Sequence, residues 1–486
     1  MEFTELADHP LPRGVVTEWI PTVTATDRWY RDDRPLAYTH EEHCRHSLAK
    51  AATGSSDEIG AAWIGAVFEI HDRYDPEALR RALRAWTSRH ETFRSTVTTD
   101  GVDADGGARL VRSTVPEDAV DVVPRVLGRR RTGSDVHADV SDFFARTLSP
   151  FRWPHCVVAT VEDIAPSSST SEDDETDRFL LVFGADHSVM DAYSMLLAVS
   201  ELRRLYEFEI HARDPRLAAI GSHLDFSVVD RETGDCLTPD HKVVRTWSSF
   251  LSDGSFPPFP LPVGADDEHG PERQSSLSRY LLSAADTDAL AAHTRVRGAS
   301  MTAAVVGALA LTSRDLAGER RLRVTMPMHT RFEPQYAESV GWYVGVVPVD
   351  VHVDPASDVD DAVRRAAAGL DAVKGYARQP YSRVARLLNV DSVPQFVVSY
   401  LDLRHTPDAE SWPLWNTRTL RSATASRDEV YFWILRTPLG LSIAARFPGH
   451  EEAVRNVHAY LARFQEVLRE SAGAVVESGA GRTVHA

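Results

Sequence analysis

A mixed α/β fold in two or more domains is what the sequence predicts, and three observations predict it. Apolar, β-branched runs of strand length alternate with amphipathic stretches of helical period along the chain, with no short internal repeat. The 486 residues are 43% hydrophobic, enough to bury a large core, and a soft prior of about 100–200 residues per domain divides them. Residues 252–273, SDGSFPPFPLPVGADDEHGPER, are too rich in Pro and Gly for a long helix or a central strand, and mark a crossover near the middle.

The elements follow in order. WIGAVFEI (63–70) is an apolar, β-branched-rich strand. DPEALRRALRAWTSRH (75–90) opens on Asp75 and Pro76, a cap and first-turn pair, and sets Leu79, Leu83 and Trp86 at helical spacing. CVVATV (156–161) and FLLVFGA (179–185) are further strands, joined by EDIAPSSSTSEDDETD (162–177), which reads as a solvated polar loop. A helix at 191–209 follows. The second half repeats the grammar: helices at 300–318, 358–377 and 450–471, and strands at 321–328, 343–353, 395–402, 429–437 and 439–447. Domain boundaries are drawn at 1–240, a crossover at 241–275, and 276–486.

Charge and cysteines exclude several functions. A net charge of -18 and a pI near 5.5 argue against a nucleic-acid partner, which needs clustered Lys and Arg to release counterions. Cys44, Cys156 and Cys236 form no CxxC pair and no metal set, as expected of a reducing compartment. The N-terminus has acids and prolines where a signal peptide is basic and then apolar, and nowhere do 18 apolar residues run together. A cytoplasmic protein without a transmembrane segment is the expectation.

The candidate chemistry sits in LVFGADHSVMDAYSM (181–195), where an apolar run stops at Asp186-His187 and a helix follows with Asp191 four residues after the histidine. An imidazole with an ordinary pKa of about 6.5 can take a proton from an alcohol or amine near neutral pH. The spacing alone is a weak signal, since His and Asp four apart occur by chance in many chains. No HExxH or second HxxxH supports a metal, no GxSxG a serine hydrolase, and no GxGxxG or Walker sequence a nucleotide cofactor.

Further blocks raise the signal. SRHETFRSTV (88–97), DHSVMDA (186–192), TMPMHTRF (325–332), VGWYVGVVPVDV (340–351) and PQFVVSYLD (394–402) resemble, in order and over nearly the whole chain, the blocks of the condensation-domain superfamily. These are the chloramphenicol-acetyltransferase-like, HxxxD acyltransferases. WSSFLSDGSFPPFPLPVG (247–264) and SVGWYVGVVPV (339–349) look most like the freestanding polyketide-associated acyltransferases. Two positions depart from the family's HHxxxDG: Asp186 replaces the first histidine and Ala192 the glycine.

The resemblance implies two chloramphenicol-acetyltransferase-like lobes in a V, with a tunnel between them and His187 near its middle. His187 would deprotonate or orient an acceptor attacking a thioester. Asp191 would be structural, in a bidentate pair with an arginine of the other lobe, here Arg331. Asp186, Tyr193, Trp342, Tyr343, Gly345 and Ser399 are the tunnel candidates. Trp342 and Tyr343, flanked by Gly341 and Gly345, also fit a bulky-small packing pattern, and Ser399 is either an oxyanion donor or a packing residue. Arg94 would brace the fold. The implied activity is cofactor-free formation of an ester, or an amide, from a phosphopantetheine thioester on coenzyme A or a carrier protein. Its acceptor is a hydroxyl or amine of a sugar, lipid alcohol or natural-product scaffold. The alternatives are a freestanding condensation enzyme using carrier-bound aminoacyl groups, and a non-catalytic recruitment module.

Overall fold

A computed structural model describes residues 3–52, 62–103, 106–163, 177–251, 254–264 and 272–480. The strands of the first half are β1 (Phe3–Glu5), β2 (Gly14–Val23), β3 (Tyr30–Asp32), β4 (Trp63–Ile70), β5 (Ser95–Val102), β6 (Ala108–Thr114), β7 (Val120–Arg130), β8 (Cys156–Glu162) and β9 (Phe179–Asp186). Those of the second half are β10 (Glu272–Ser283), β11 (Arg321–His329), β12 (Val344–His352), β13 (Phe396–Asp402), β14 (Arg418–Arg421), β15 (Ala425–Ser426), β16 (Val430–Thr437) and β17 (Gly440–Pro448). The helices are α1 (Tyr38–Ala52), α2 (Pro76–Arg89), α3 (Gly133–Thr147), α4 (Ala192–His211), α5 (His223–Asp235), α6 (Lys242–Phe250), α7 (Ala284–Val296), α8 (Met301–Ala317), α9 (Val359–Val373), α10 (Tyr381–Leu388) and α11 (Glu451–Ala480). The mixed α/β class is therefore as the sequence predicts. The acidic loop expected at 162–177 falls almost wholly outside the described residues, as do 252–253 and 265–271 of the expected crossover.

The chain forms two compact units whose boundaries differ from a division by sequence position. Unit 1 combines Met1–Asp235 with Arg331–Tyr343 and Thr406–Ala423, and unit 2 holds Cys236–Thr330, Val344–His405 and Thr424–Ala486. The two late segments belong to unit 1 because β14 pairs with β4 and because Arg331–Tyr343 is bonded to α4. The 241–275 stretch is also more than a crossover. Val243, Val244, Trp247 and Phe250 recur at helical spacing, so α6 forms and buries that face with Phe256 and Val384.

In unit 1 the sheet order is β1-β14-β4-β9-β8-β2-β7, with β3-β6-β5 as a separate small sheet. β9 is central and buried along its whole length, which is why it reads as an unbroken apolar run rather than an alternating one. Leu180 and Val182 face Val136, Val140, Phe143 and Phe144 of α3. Phe179 and Phe183 point the other way, onto Tyr206 of α4 at 5.3 Å and Trp86 of α2 at 5.9 Å between ring centroids. Each such burial stabilises by about 1.5–3 kcal/mol. α2 starts where Asp75 accepts from the backbone N–H groups of Glu77 and Ala78, as its sequence predicts.

Unit 2 has the order β12-β11-β13-β16-β17-β10-β15 and one large core. α8 is apolar on nearly every face and accordingly buried; Ser300 caps its start and Gly318, at φ 68°, its end. No single helix among the described residues is long and apolar enough to cross a membrane.

Candidate active site

The site is built at the end of β9. Asp186 N–H donates to the His155 carbonyl at 2.8 Å on one side, and His187 N–H to the Ala62 carbonyl at 2.9 Å on the other. The strand is thus held to its last residue. Asp186 then caps a single 3-10 turn, His187–Val189, by accepting from Ser188 N–H at 2.9 Å. The turn delivers His187 at the edge of the core with its ring tilted against Trp342, centroids 4.2 Å apart. Nδ1 of His187 is buried without a hydrogen-bond partner among the described residues, so Nε2 is the nitrogen open to a reactant. Burial, followed by the neighbouring His43 charge, pulls the His187 pKa below the ordinary value of 6.5, against the opposing pull of its own backbone, Asp186 and Asp191. The neutral imidazole, a proton acceptor, prevails at pH 7.

Asp191 does not orient that ring. It caps α4, accepting from Ser194 N–H at 2.7 Å, and takes Tyr343 N–H at 2.9 Å. Nη2 of Arg331 reaches both carboxylate oxygens, at 3.0 and 3.1 Å. The expected pair is present, with two differences. One nitrogen bridges both oxygens rather than two nitrogens meeting them in parallel, because Nη1 is taken by the carbonyls of Tyr336 and Ser339. The arginine also belongs to the same compact unit as Asp191, not to the other. Both charges are buried and the guanidinium lies 4.2 Å from the Tyr343 ring centroid. Burial alone would raise the Asp191 pKa; Arg331 and the N–H donors outweigh it and lower it.

The tunnel candidates separate into different roles. Trp342 is half-buried and touches His187, whereas Tyr343 is fully buried in an aromatic cluster with Phe226 and Tyr336 and lines no open space. Asp186 is likewise fully buried, spent on the turn and on His43 Nε2 at 3.2 Å. Tyr193 is half-buried, 5.3 Å from the Arg331 guanidinium. Gly345 and Ser399 lie in unit 2. A Cβ at Gly345 would overlap the Ala377 carbonyl, so packing accounts for that glycine. Ser399 is on β13 opposite Trp433, turned away from the core that holds Phe396 and Val398. Gly341 is a close approach of the same kind, onto the His223 ring. Ala192, in the family's glycine position, begins α4 directly after its cap.

Several functional neighbours escape a reading of the sequence. His223 donates from Nε2 to the Trp342 carbonyl at 3.2 Å and so fixes the backbone beside His187; burial brings its pKa down to about 4. His90, within the SRHETFRSTV block, accepts from Val340 N–H at 3.3 Å on Nδ1 and donates from Nε2 to Glu201 at 2.6 Å. Arg94 bonds the carbonyls of Ser88 and Val115, a brace as expected. His43 is the third neighbour that the sequence does not announce. Its only sequence signal is a stripe of His40, His43 and His46 at spacing three on α1. Among the described residues no group of three His, Cys, Asp or Glu side chains could hold a metal ion.

The comparisons agree with this architecture. The Condensation domain family model matches residues 56–406. Acyltransferase PapA3 of Mycobacterium tuberculosis is 24% identical, covering 98% of this chain and 99% of its own length. The 2'-acyl-2-O-sulfo-trehalose (hydroxy)phthioceranyltransferase PapA1 of the same organism is 24% identical over 100% of this chain and 91% of its own. Among solved structures, the PapA2 acyl transferase superposes with a TM-score of 0.84 at 23% identity, covering 97% of this chain and 100% of that one. With the motif blocks, the fold and the matched family model in agreement, the chain belongs to the condensation-domain family and is an acyltransferase.

Proposed function

We propose that the protein moves an acyl group from a phosphopantetheine thioester, on coenzyme A or a carrier protein, to a hydroxyl of a sugar or lipid alcohol, forming an ester. The observation that carries this reading is His187 itself: a strand-end imidazole, neutral at pH 7, with Nδ1 buried and neither ring nitrogen hydrogen-bonded among the described residues. Such a group accepts the acceptor's proton as its oxygen attacks the thioester carbonyl, and a proton must reach the sulfur when the C–S bond breaks. General-base action of this kind contributes about 10²–10⁴-fold, and holding the two substrates in register about 7–11 kcal/mol in favourable cases. The PapA1 relative is named as a transferase acting on a 2'-acyl-2-O-sulfo-trehalose, and a sulfated, acylated trehalose is therefore the first acceptor to try.

Free thiol release from a panel of acyl thioesters, with sugar, alcohol and amine acceptors, tests the reading. Acceptor-dependent product that falls about 10²–10⁴-fold in His187→Ala, with unchanged circular dichroism, is the expected result. The rate is expected to be level above pH 6.5 and to fall below it, since the depressed pKa of His187 must be crossed before the base is lost. Equal turnover by both proteins would sink the assignment of His187. Absence of turnover with tight carrier-protein binding would favour a recruitment module.

A further inference from the structure

We propose that His43, held by Asp186, is a second proton-handling residue of the transfer, supplying a proton to the departing thiolate while His187 carries away the acceptor's proton. This rests on the thioester donor proposed above.

His43 and His187 are brought to the same indole. The His43 ring stands edge-on to Trp342 with centroids 5.6 Å apart, and the His187 ring lies against it at 4.2 Å. Nε2 of His43 meets Asp186 Oδ1 at 3.2 Å, and Nδ1 has no hydrogen-bond partner among the described residues. The His43 side chain keeps 13% of its surface, whereas Asp186 has none. An imidazole with one nitrogen anchored on a buried carboxylate and the other unpartnered is the arrangement in which a histidine donates and recovers protons.

Asp186 shows the same pairing from the carboxylate side. Its Oδ2 is buried without a partner among the described residues, and Ser188 N–H is a neutral donor, so the bonded His43 imidazole, with His155 nearby, offsets a charge several kcal/mol costly to bury alone. The position also explains a departure from the family pattern. Where HHxxxDG carries a histidine beside the catalytic one in sequence, this chain carries Asp186, and α1 brings an imidazole to it in space.

The step balances. The acceptor oxygen forms the new C–O bond and its proton goes to His187 Nε2. The C–S bond breaks, its electron pair leaves on sulfur, and the proton from His43 joins it to give free thiol. Water then carries the proton from His187 back to His43, with no net proton change. Two imidazoles divide work that a single one must otherwise do on both sides of the carbonyl carbon.

The test compares two donors bearing the same acyl group, an S-phenyl thioester, whose thiolate needs little help to leave, and an N-acetylcysteamine thioester, whose alkyl thiolate needs more. His43→Gln retains an amide that can bond Asp186 but carries no transferable proton. Its deficit relative to wild type is expected to be about tenfold larger with the alkyl donor than with the aryl one, whereas His187→Ala loses equally with both. Asp186→Asn is expected to show the same donor dependence, and the double variant is expected to be no worse than the more impaired single one. A His43→Gln deficit that is absent, or identical for both donors, overturns the proposal while leaving the thioester reading intact. A wild type that transfers from neither donor overturns that reading and this inference together.

Discussion

In unit 2 the cluster around α8 is built of Ala, Val, Leu, Ile, Met and aromatic side chains, and its central helix buries almost no polarity beyond Thr312 and Ser313. In unit 1 a sheet of the same strand number encloses His40, His155, Asp186, Asp191, His223 and Arg331 around the end of β9. The apolar core is held by area removed from water, which tolerates approximate geometry. The polar one is held by matched donors and acceptors, and each partner removed leaves another stranded. Unit 1 therefore fixes His187 closely, at the cost of a dependence on charge state that the apolar cluster around α8 does not share.

The sharpest way to break the comparison is Arg331→Met, which leaves Asp191 buried and unpaired. Urea unfolding is expected to show a loss of about 3–5 kcal/mol, partly recovered by adding Asp191→Asn. A loss below about 1 kcal/mol would mean that the pair is dispensable to unit 1.

Acid should separate the units. His40, His155, His187 and His223 all have pKa values lowered by burial, and all belong to unit 1. The unfolded chain then binds more protons than the folded one, so stability falls as pH drops below 6.5, for His223 down to about 4. That histidine alone costs on the order of 3 kcal/mol across the window. Asp230, raised to about 6 by burial, and Glu162, also raised by burial, work in the opposite direction, but burial lowers His46 of the same unit as well, so the histidines outnumber them. Amide exchange compared at pH 7 and pH 5, corrected for intrinsic rates, is expected to show protection lost in α4 and β9 and kept in α8. Equal loss in both units would remove the distinction.

The smallest effect expected belongs to unit 2. Gly345→Ala forces a Cβ onto the Ala377 carbonyl and should cost about 1–3 kcal/mol in urea, with the pH profile of thiol release unchanged. A shifted profile would show that this packing point reaches the chemistry.

Local physics made much of the molecule legible in advance. Asp75-Pro76 starts α2, and the unbroken apolar run of β9 marks a strand covered on both faces. The Asp191 cap opens α4, and His187 stands between that strand and that helix because the periods change there. All of these are written within a few residues, where backbone geometry couples neighbours directly. Other features are not. Arg331 meets Asp191 across 140 residues, Val340 meets His90 across 250, and His43 meets Asp186 across 143. No period or spacing encodes such distances, because closing a long loop costs little more than closing a short one and leaves no local trace. By itself the sequence determined the mixed α/β class, the order of the strands and helices it marks, and the place of His187 between β9 and α4. The tertiary structure decided which charges are satisfied, which unit the returning segments join and which second imidazole stands beside the first, because those depend on donors and acceptors meeting in space.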